Sequence, residues 1–418
     1  MAPLKTIFIA LLAIAIGLYK VHIHLDAANL FPKVGRAIQR LDDFPDYQCR
    51  RMRHPLLESC EDVWLDSGRR RVYAACANPM VRVAWSPGGN SYDLAGRAAG
   101  GGGIDHITVL DIDQPGADGL HGVRELKFRD SQGNIQTLDL HGFDARVIDK
   151  GRRVRFWLIN HRPPLDPFTG APLLDATQVG ANSTIDVYDL DLHHGDKLEH
   201  VKTIVSETII SPNNLVVIDD DEDKGGFLFT NDHNTKVSPS RDKEIGGSIS
   251  YCRTDTGECH FAATENFSFP NGITRDPFSG LIYIAHSARG TVTVHRVVHD
   301  QQLVQIDEIS LSMGVDNLSI DTDGNIFAAT IPDHDQFIRA FHDPYGTDAP
   351  STVVTIKKKR RDAEVSSVKE EYEVIKVVED GEARILPTTT CAVHDPISSR
   401  LFLGALSSPF MVVCEKQE

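Results

Sequence analysis

Asn213-Asn214-Leu215-Val216-Val217, followed by Gly226-Phe227-Leu228-Phe229-Thr230-Asn231-Asp232-His233, is the stretch that decides the architecture. A polar pair opens an apolar run, a polar turn follows, and an aromatic-rich strand returns. The unit recurs. Glu61-Asp62-Val63-Trp64-Leu65 leads to Arg71-Val72-Tyr73-Ala74-Ala75, and His141-Gly142-Phe143-Asp144-Ala145 leads to Val154-Arg155-Phe156-Trp157-Leu158-Ile159-Asn160-His161. Further copies open at Asn271-Gly272-Ile273, Asp316-Asn317-Leu318 and, with cysteine in the polar slot, Cys391-Ala392-Val393. One strand-turn-strand unit cannot bury its own apolar face, so the copies must stack. Radial stacking predicts an all-β fold, a six-bladed β-propeller over residues 40–418. The opening residue of each copy then takes an equivalent place. Positions hundreds of residues apart converge on the central axis.

Composition narrows the partners. The 418 residues carry 43 basic against 59 acidic side chains, a net charge of −16, which disfavours nucleic acid and any broad polybasic membrane contact. The run Lys357-Lys358-Lys359-Arg360-Arg361 sits close to Glu370, Glu371 and Glu373 and reads as a solvated loop. Residues 1–25 form an N-terminal hydrophobic signal or anchor segment. Its uncharged run from Ile7 to Leu18 is the length of a signal core and shorter than the roughly 18–20 residues of a comfortable span. A cleaved secretory signal and a retained anchor both fit, with a buried core helix as the alternative. Either of the first two makes the protein secreted or membrane-anchored, and the second permits membrane association through the N-terminus.

Seven cysteines suit that oxidising compartment. Cys49 precedes the first copy and Cys414 lies near the C-terminus, so a bond between them would close the seam of the ring. The chain-entropy account gives such a long loop about 4–5 kcal/mol. Cys252 and Cys259 flank the turn Thr254-Asp255-Thr256-Gly257 and could pair across it. Cys60, Cys76 and Cys391 are expected as small buried thiols. Asn182-Ser183-Thr184 and Asn266-Phe267-Ser268 are glycosylation sequons, whereas Asn317-Leu318-Ser319 belongs to the repeat and should face the axis unused.

Two insertions interrupt the spacing. Residues 83–140 include the run Gly100 to Gly103, with no Lys-Ser or Lys-Thr following; in an all-β context that run is expected to be a flexible loop rather than a phosphate cradle. Residues 162–181 leave directly from His161, where they either cover a pocket or decorate the surface.

The opening positions carry the chemistry. Superposing the copies places Glu61, Asn213, Asn271 and the pair Asp316-Asn317 at successive inner strands. They offer oxygen only, two carboxylates and three amides. Hard oxygen donors in that number suit Ca2+; zinc would call for His or Cys, and magnesium for fewer protein ligands and more water. Against this stands the ordinary use of Asn and Asp as turn residues. His141 opens the second copy and His161 ends its return strand, so both imidazoles can reach the same mouth and activate water. The competing reading makes each a hydrogen-bonded packing residue. His233 is a further candidate for lining the site. No Gly-x-Ser-x-Gly elbow is present, so a serine-hydrolase mechanism has no support.

In order and at blade spacing, these residues resemble the serum paraoxonase/arylesterase family, six-bladed propellers that hydrolyse lactones, aryl esters and some organophosphates with calcium. The resemblance rests on Cys49, Glu61-Asp62, His141-Gly142, Asn160-His161, Ser183-Thr184, Asn213-Asn214, Thr230-Asn231-Asp232-His233, Asn271-Gly272-Ile273, Asp316-Asn317 and Cys414. It implies a catalytic calcium on Glu61, Asn213, Asn271, Asp316 and Asn317, and a His141–His161 dyad with His141 nearest the attacking water. It also implies a second, structural calcium on Asp62, the backbone carbonyl of Phe143 and the residue at 214, and a Cys49–Cys414 bond. Three departures stand out. Asn214 replaces the usual Asp and weakens or removes the second ion. Thr330-Ile331-Pro332 stands where the family tends to show Cys-His-Pro. The 162–181 insertion has no counterpart of that length.

The resulting expectation is a calcium-dependent hydrolase of lactones and aryl esters, with phosphotriester hydrolysis as incidental use of the same site. Gluconolactonase-like and strictosidine-synthase-like propellers are the enzymatic rivals. The non-catalytic rival is a secreted or anchored propeller whose calcium is structural and whose face binds a partner or lipid surface.

Overall fold

The computed structural model describes residues 38–166, 168–171, 173, 175–193, 195–219, 225–237, 246–359 and 371–417. The expected signal or anchor segment at residues 1–25 lies outside them, as do residues 360 and 361 of the basic run. Among the described residues no helix is long and apolar enough to cross a membrane.

The chain is all-β and propeller-like, built from four-stranded antiparallel meanders. The first comprises Asp62–Asp66, Arg71–Cys76, His106–Asp111 and Arg124–Arg129, and the second Leu140–Ile148, Arg153–Arg162, Asn182–Asp191 and Lys197–Ile204. These two join into one eight-stranded sheet, because their outermost strands pair in parallel at Lys197↔Lys127 and Leu198↔Phe128. Further meanders open at Pro212–Val217, Pro270–Arg275, Gly314–Ile320 and Thr389–Asp395. The last is completed by the N-terminal strand Tyr47–Met52, which pairs with Met411–Lys416 and sets Cys49 opposite Cys414. Each meander's first strand touches the next in order, and the strand at Thr389–Asp395 returns to the one at Asp62–Asp66. The ring is closed.

Burial follows position in the meander. The first strand Pro212–Val217 is buried along its whole length, whereas the outermost strand Leu303–Ser310 is largely exposed. A strand covered on both faces reads as a continuous apolar run, which is why the opening stretches of the copies are legible. The cores lie between neighbouring meanders. Tyr73, Ile107 and Val109 pack against Phe143, Phe156 and Tyr188, and Phe327 and Val353 pack against Leu401, Leu403 and Val412. Each such side chain contributes about 1.5–3 kcal/mol relative to exposure.

Three disulfides form: Cys49–Cys414, Cys252–Cys259 and Cys60–Cys76. The third corrects the expectation of buried thiols at Cys60 and Cys76. The antiparallel register Asp62↔Ala75 carries on past the strand ends and brings Cys76 alongside Cys60. Cys391 remains a buried thiol. The chain forms two short helices here, Pro79–Ala84, which runs into the 83–140 insertion, and Leu94–Ala99 within it, and Gly100 closes the second as its C-terminal cap. A glycine run leaving a helix C-terminus offers carbonyls, not the N–H groups that phosphate needs.

This pattern predicts the outcome of thiol labelling. Native protein should resist alkylation, and denaturation without reductant should expose one reactive thiol per chain, from Cys391. Replacing Cys49 by Ser should lower the free energy of unfolding by about 4–5 kcal/mol in chemical denaturation.

Candidate functional site

The opening pairs of the copies are β-bulges. The register slips between Leu140 and Phe143, Pro212 and Leu215, Pro270 and Ile273, Val315 and Leu318, and Thr389 and Cys391. A bulge lifts consecutive residues off the ladder and re-aims their side chains. The first meander differs: its strand starts at Asp62, and Glu61 donates its N–H to the carbonyl of Ala75. Two of the pairs need glycine for close approach. A Cβ on Gly142 would lie 2.4 Å from the carbonyl oxygen of Asn213, and one on Gly272 would lie 2.5 Å from Cα of Asn317. Neighbouring inner strands thus meet backbone to backbone at the axis.

Glu61, His141, Asn213, Asn271, Asp316 and Asn317 are all buried there. Asn317 donates through Nδ2 to Oε1 of Glu61 at 2.9 Å, and its Oδ1 accepts from Nδ2 of Asn214 at 2.6 Å. Nδ2 of Asn213 donates to Oδ2 of Asp232 at 3.4 Å, and Nδ2 of Asn271 donates to Oγ of Ser287 at 3.2 Å. Oε2 of Glu61, Oδ1 of Asn213 and Oδ1 of Asn271 are buried without any hydrogen-bond partner. Three uncompensated oxygens brought together from three meanders are costly unless something positive meets them. An oxygen-only donor set of this kind fits a hard cation such as Ca2+. Among the described residues no group of three or more His, Cys, Asp or Glu side chains is placed to hold a metal ion.

Electrostatics agrees with that reading. Burial, then the Asp316 charge, pushes Glu61 up to about 8. Burial pushes Asp316 up to about 8, with the Asn271 hydrogen bond opposing it and the Asp62 charge adding to it. Asp62 is raised as well, by burial and then by Glu61. Carboxylates crowded and desolvated in this way need a cation to stay ionised.

The expected histidine pair is present. The His141 and His161 rings lie 5.2 Å apart, centroid to centroid, tilted by 55°. Nδ1 of His161 is 2.8 Å from Oγ of Ser183, and the His161 carbonyl accepts from Nε1 of Trp85 at 2.6 Å. Burial, then the charge of Arg82, lowers His141 to about 3, so its imidazole is neutral across the physiological range. His233 is held through Nδ1 on Oδ1 of Asp232 at 2.7 Å, and Ser211 donates to that same oxygen.

Several residues of this site were not anticipated. Arg82, on the helix Pro79–Ala84, is 4 % exposed; it donates to the carbonyl of Leu140, next to His141, and its Nη2 lies 3.4 Å from Oδ2 of Asp105. Arg97 grips Asp139 with two bonds of 2.7 Å. The hairpin between Trp85 and Tyr92 reaches over the same region, where a Cβ on Gly88 would come within 3.0 Å of Oδ2 of Asp232. The available signals were helix starts. Asn78 before Pro79 and Asp93 before Leu94 both act as N-caps. The 162–181 insertion roots on this cap through Ala176 and Ala181, which pack with Trp85 and Tyr92, while Phe168 is 96 % exposed.

The expected second-ion residues lie apart from this set. Asp62, Phe143 and Asn214 border a cavity of about 320 Å3 that also takes in Trp64, Asp144 and His394, and that none of Glu61, Asn213, Asn271 or Asp316 lines.

The arylesterase family model matches residues 174–381. That stretch of the chain belongs to the arylesterase family. It carries Asn213, Asn214, His233, Asn271, Asp316 and Asn317 of the site, while Glu61, His141 and His161 precede it. No curated protein matches the chain. Solved structures similar to it include a luciferin-regenerating enzyme (11 % identity, TM-score 0.49, covering 88 % of this chain and 95 % of that one). Another is a gluconolactonase from Xanthomonas campestris (13 %, 0.43, 92 % and 98 %). A third is the calcium-binding protein regucalcin from Agrobacterium tumefaciens (11 %, 0.40, 87 % and 92 %). At these identities and scores they carry no weight for the activity of this chain.

The buried acids give a pH signature. Glu61 and Asp316 have ordinary values of 4.5 and 3.8 and hold their protons in the fold up to about 8. A raised carboxyl pKa contributes stability that is full below the ordinary value and lost as pH climbs through the folded one. Chelated protein should therefore melt at progressively lower temperature from pH 5 to pH 8, and added calcium should flatten that slope. Differential scanning calorimetry with and without chelator reads the difference, and Glu61→Gln should reduce it.

Proposed function

We propose that the protein is a six-bladed propeller hydrolase that opens lactones and aryl esters with bound calcium. The observation that carries this reading is the set of buried oxygens without partners on Glu61, Asn213 and Asn271, adjoining the Asp316 carboxylate. The arylesterase-family stretch supports the reaction class, and the closed succession of first strands supports the blade count. Exposed Asn182 and Asn266, in sequons, and the three disulfides suit a secreted or membrane-anchored protein.

Glu61, Asn213, Asn271 and Asp316 would hold the ion. Bound there, Ca2+ would polarise the substrate carbonyl and offset negative charge developing on its oxygen. His141, neutral in its buried setting, accepts a proton from water as the water oxygen bonds to the carbonyl carbon. His161 backs it, with its ring orientation fixed by the Ser183 hydroxyl and its backbone pinned by Trp85. The C–O bond to the leaving group then breaks, and the proton held on His141 passes to the departing oxygen. Arg82 anchors the backbone immediately before His141 and so sets where that imidazole points. The cap over this mouth limits access by bulk water, which strengthens every charge interaction inside.

The test is hydrolysis of a lactone and aryl-ester panel by protein as isolated, after chelation, and after calcium is restored. Activity should vanish and return. His141→Gln should lower kcat by about 10²–10⁴-fold with calcium binding retained, and Asp316→Asn should weaken calcium binding itself. Calcium bound to folded protein with no turnover on the panel would favour a binding propeller instead.

A further inference from the structure

The residues expected to hold a second ion do not fit one. Oδ1 of Asp62 accepts the N–H of Val63 at 2.9 Å, and its Oδ2 accepts the N–H of Phe143 at 2.9 Å and Nδ2 of Asn214 at 3.3 Å. Oδ1 of Asn214 accepts the N–H of Leu215 at 2.6 Å, and its Nδ2 also donates to Oδ1 of Asn317 at 2.6 Å. The same structure leaves Glu61, Asn213 and Asn271 each with a buried oxygen unmatched, yet neither Asp62 nor Asn214 has one. One position on the axis asks for a cation and the other does not.

We infer that the Asn214 amide takes the place of the second ion, so that this chain binds a single calcium and braces its axis with hydrogen bonds instead. The amide orientation is set from both ends. An oxygen faces the Leu215 N–H, and the nitrogen faces two oxygens, those of Asp62 and Asn317. Turning it over would set oxygen against oxygen on one side and N–H against N–H on the other. Ca2+ wants about 6–8 oxygens around it, and this position supplies one carboxylate whose lone pairs already face N–H groups. Access is not the obstacle, because Asp62 and Asn214 both line the 320 Å3 cavity and can be reached from it.

The brace joins four inner strands. Asp62 comes from the first meander, the Phe143 N–H from the second, Asn214 from the third and Asn317 from the fifth. It also reaches the other site, since Asn317 holds Oε1 of Glu61 and leaves Oε2 to point elsewhere. An amide network that persists without metal keeps the ligands of the first site in position when that ion leaves. This inference rests on the calcium reading above for the first site only.

Ion stoichiometry tests it without any assay of activity. Full-length protein saturated with calcium and then dialysed to a defined free concentration should retain one ion per chain by elemental analysis, and Asn214→Asp should retain two. Chelation should leave the wild-type chain folded by circular dichroism, while Asn214→Asp should lose markedly more melting temperature on chelation than wild type. Asp62→Asn provides a second arm and should still hold one ion. Two ions in wild type, no more ions in folded Asn214→Asp than in wild type, or none in folded Asp62→Asn where wild type holds one would each overturn the inference. Wild type with no ion and Asn214→Asp with one would support the amide substitution and sink the calcium-dependent hydrolase. The two readings fail separately.

Discussion

The hydrogen bond from Asn317 to Glu61 spans 256 residues of sequence and crosses the axis on which everything else depends. Closing a ring of sheets on itself forces the first strands together, and their bulges hold polar side chains buried at the axis. Each of those groups must find a partner inside the protein or carry a heavy desolvation cost. At Asp62, Asn214 and Asn317 the partners are one another. At Glu61, Asn213 and Asn271 three buried oxygens are left without partners.

The outer structure serves that centre. The Cys49–Cys414 bond and the strand pairing beneath it hold the seam, so the first strand of the ring cannot drift from the last. Glycines at 142 and 272 allow inner strands to approach until backbone meets backbone. Above the mouth, the two short helices supply Arg82 and Arg97, whose contacts with Leu140, Asp105 and Asp139 fasten the strand that carries His141. Removing one member of such a buried ion pair typically costs about 3–5 kcal/mol, because the partner is left charged and alone. A cap tied in this way to the strand that carries His141 couples its own position to the placement of that imidazole.

The repeat was readable because inner strands are covered on both faces and appear as continuous apolar runs, as at Leu215-Val216-Val217. Polar pairs at the head of each run were readable because they stand immediately before apolar residues, as Asn213-Asn214 does before Leu215-Val216-Val217. His141 and His161 could be paired because they begin and end adjacent strands of one copy. Cys60 and Cys76 escaped, since their proximity depends on how far a register continues past two strand ends. Arg82 escaped too. Its helix is six residues long, too short to show a periodicity, and its role comes from reaching a carbonyl 58 residues away.

By itself the sequence determined the all-β repeat, the order of the polar positions and the oxygen-only character of the axial donors, because each of these follows from local pattern and side-chain chemistry. It also determined that residue 214 is an amide rather than a carboxylate. What that amide does was decided only by the tertiary structure. Whether Asn214 offers oxygen to an ion or nitrogen to its neighbours depends on which atoms of Asp62, Leu215 and Asn317 surround it. The division of one axis into an unmatched position and a satisfied one depends likewise on distances between strands far apart in the chain, and no local pattern encodes them.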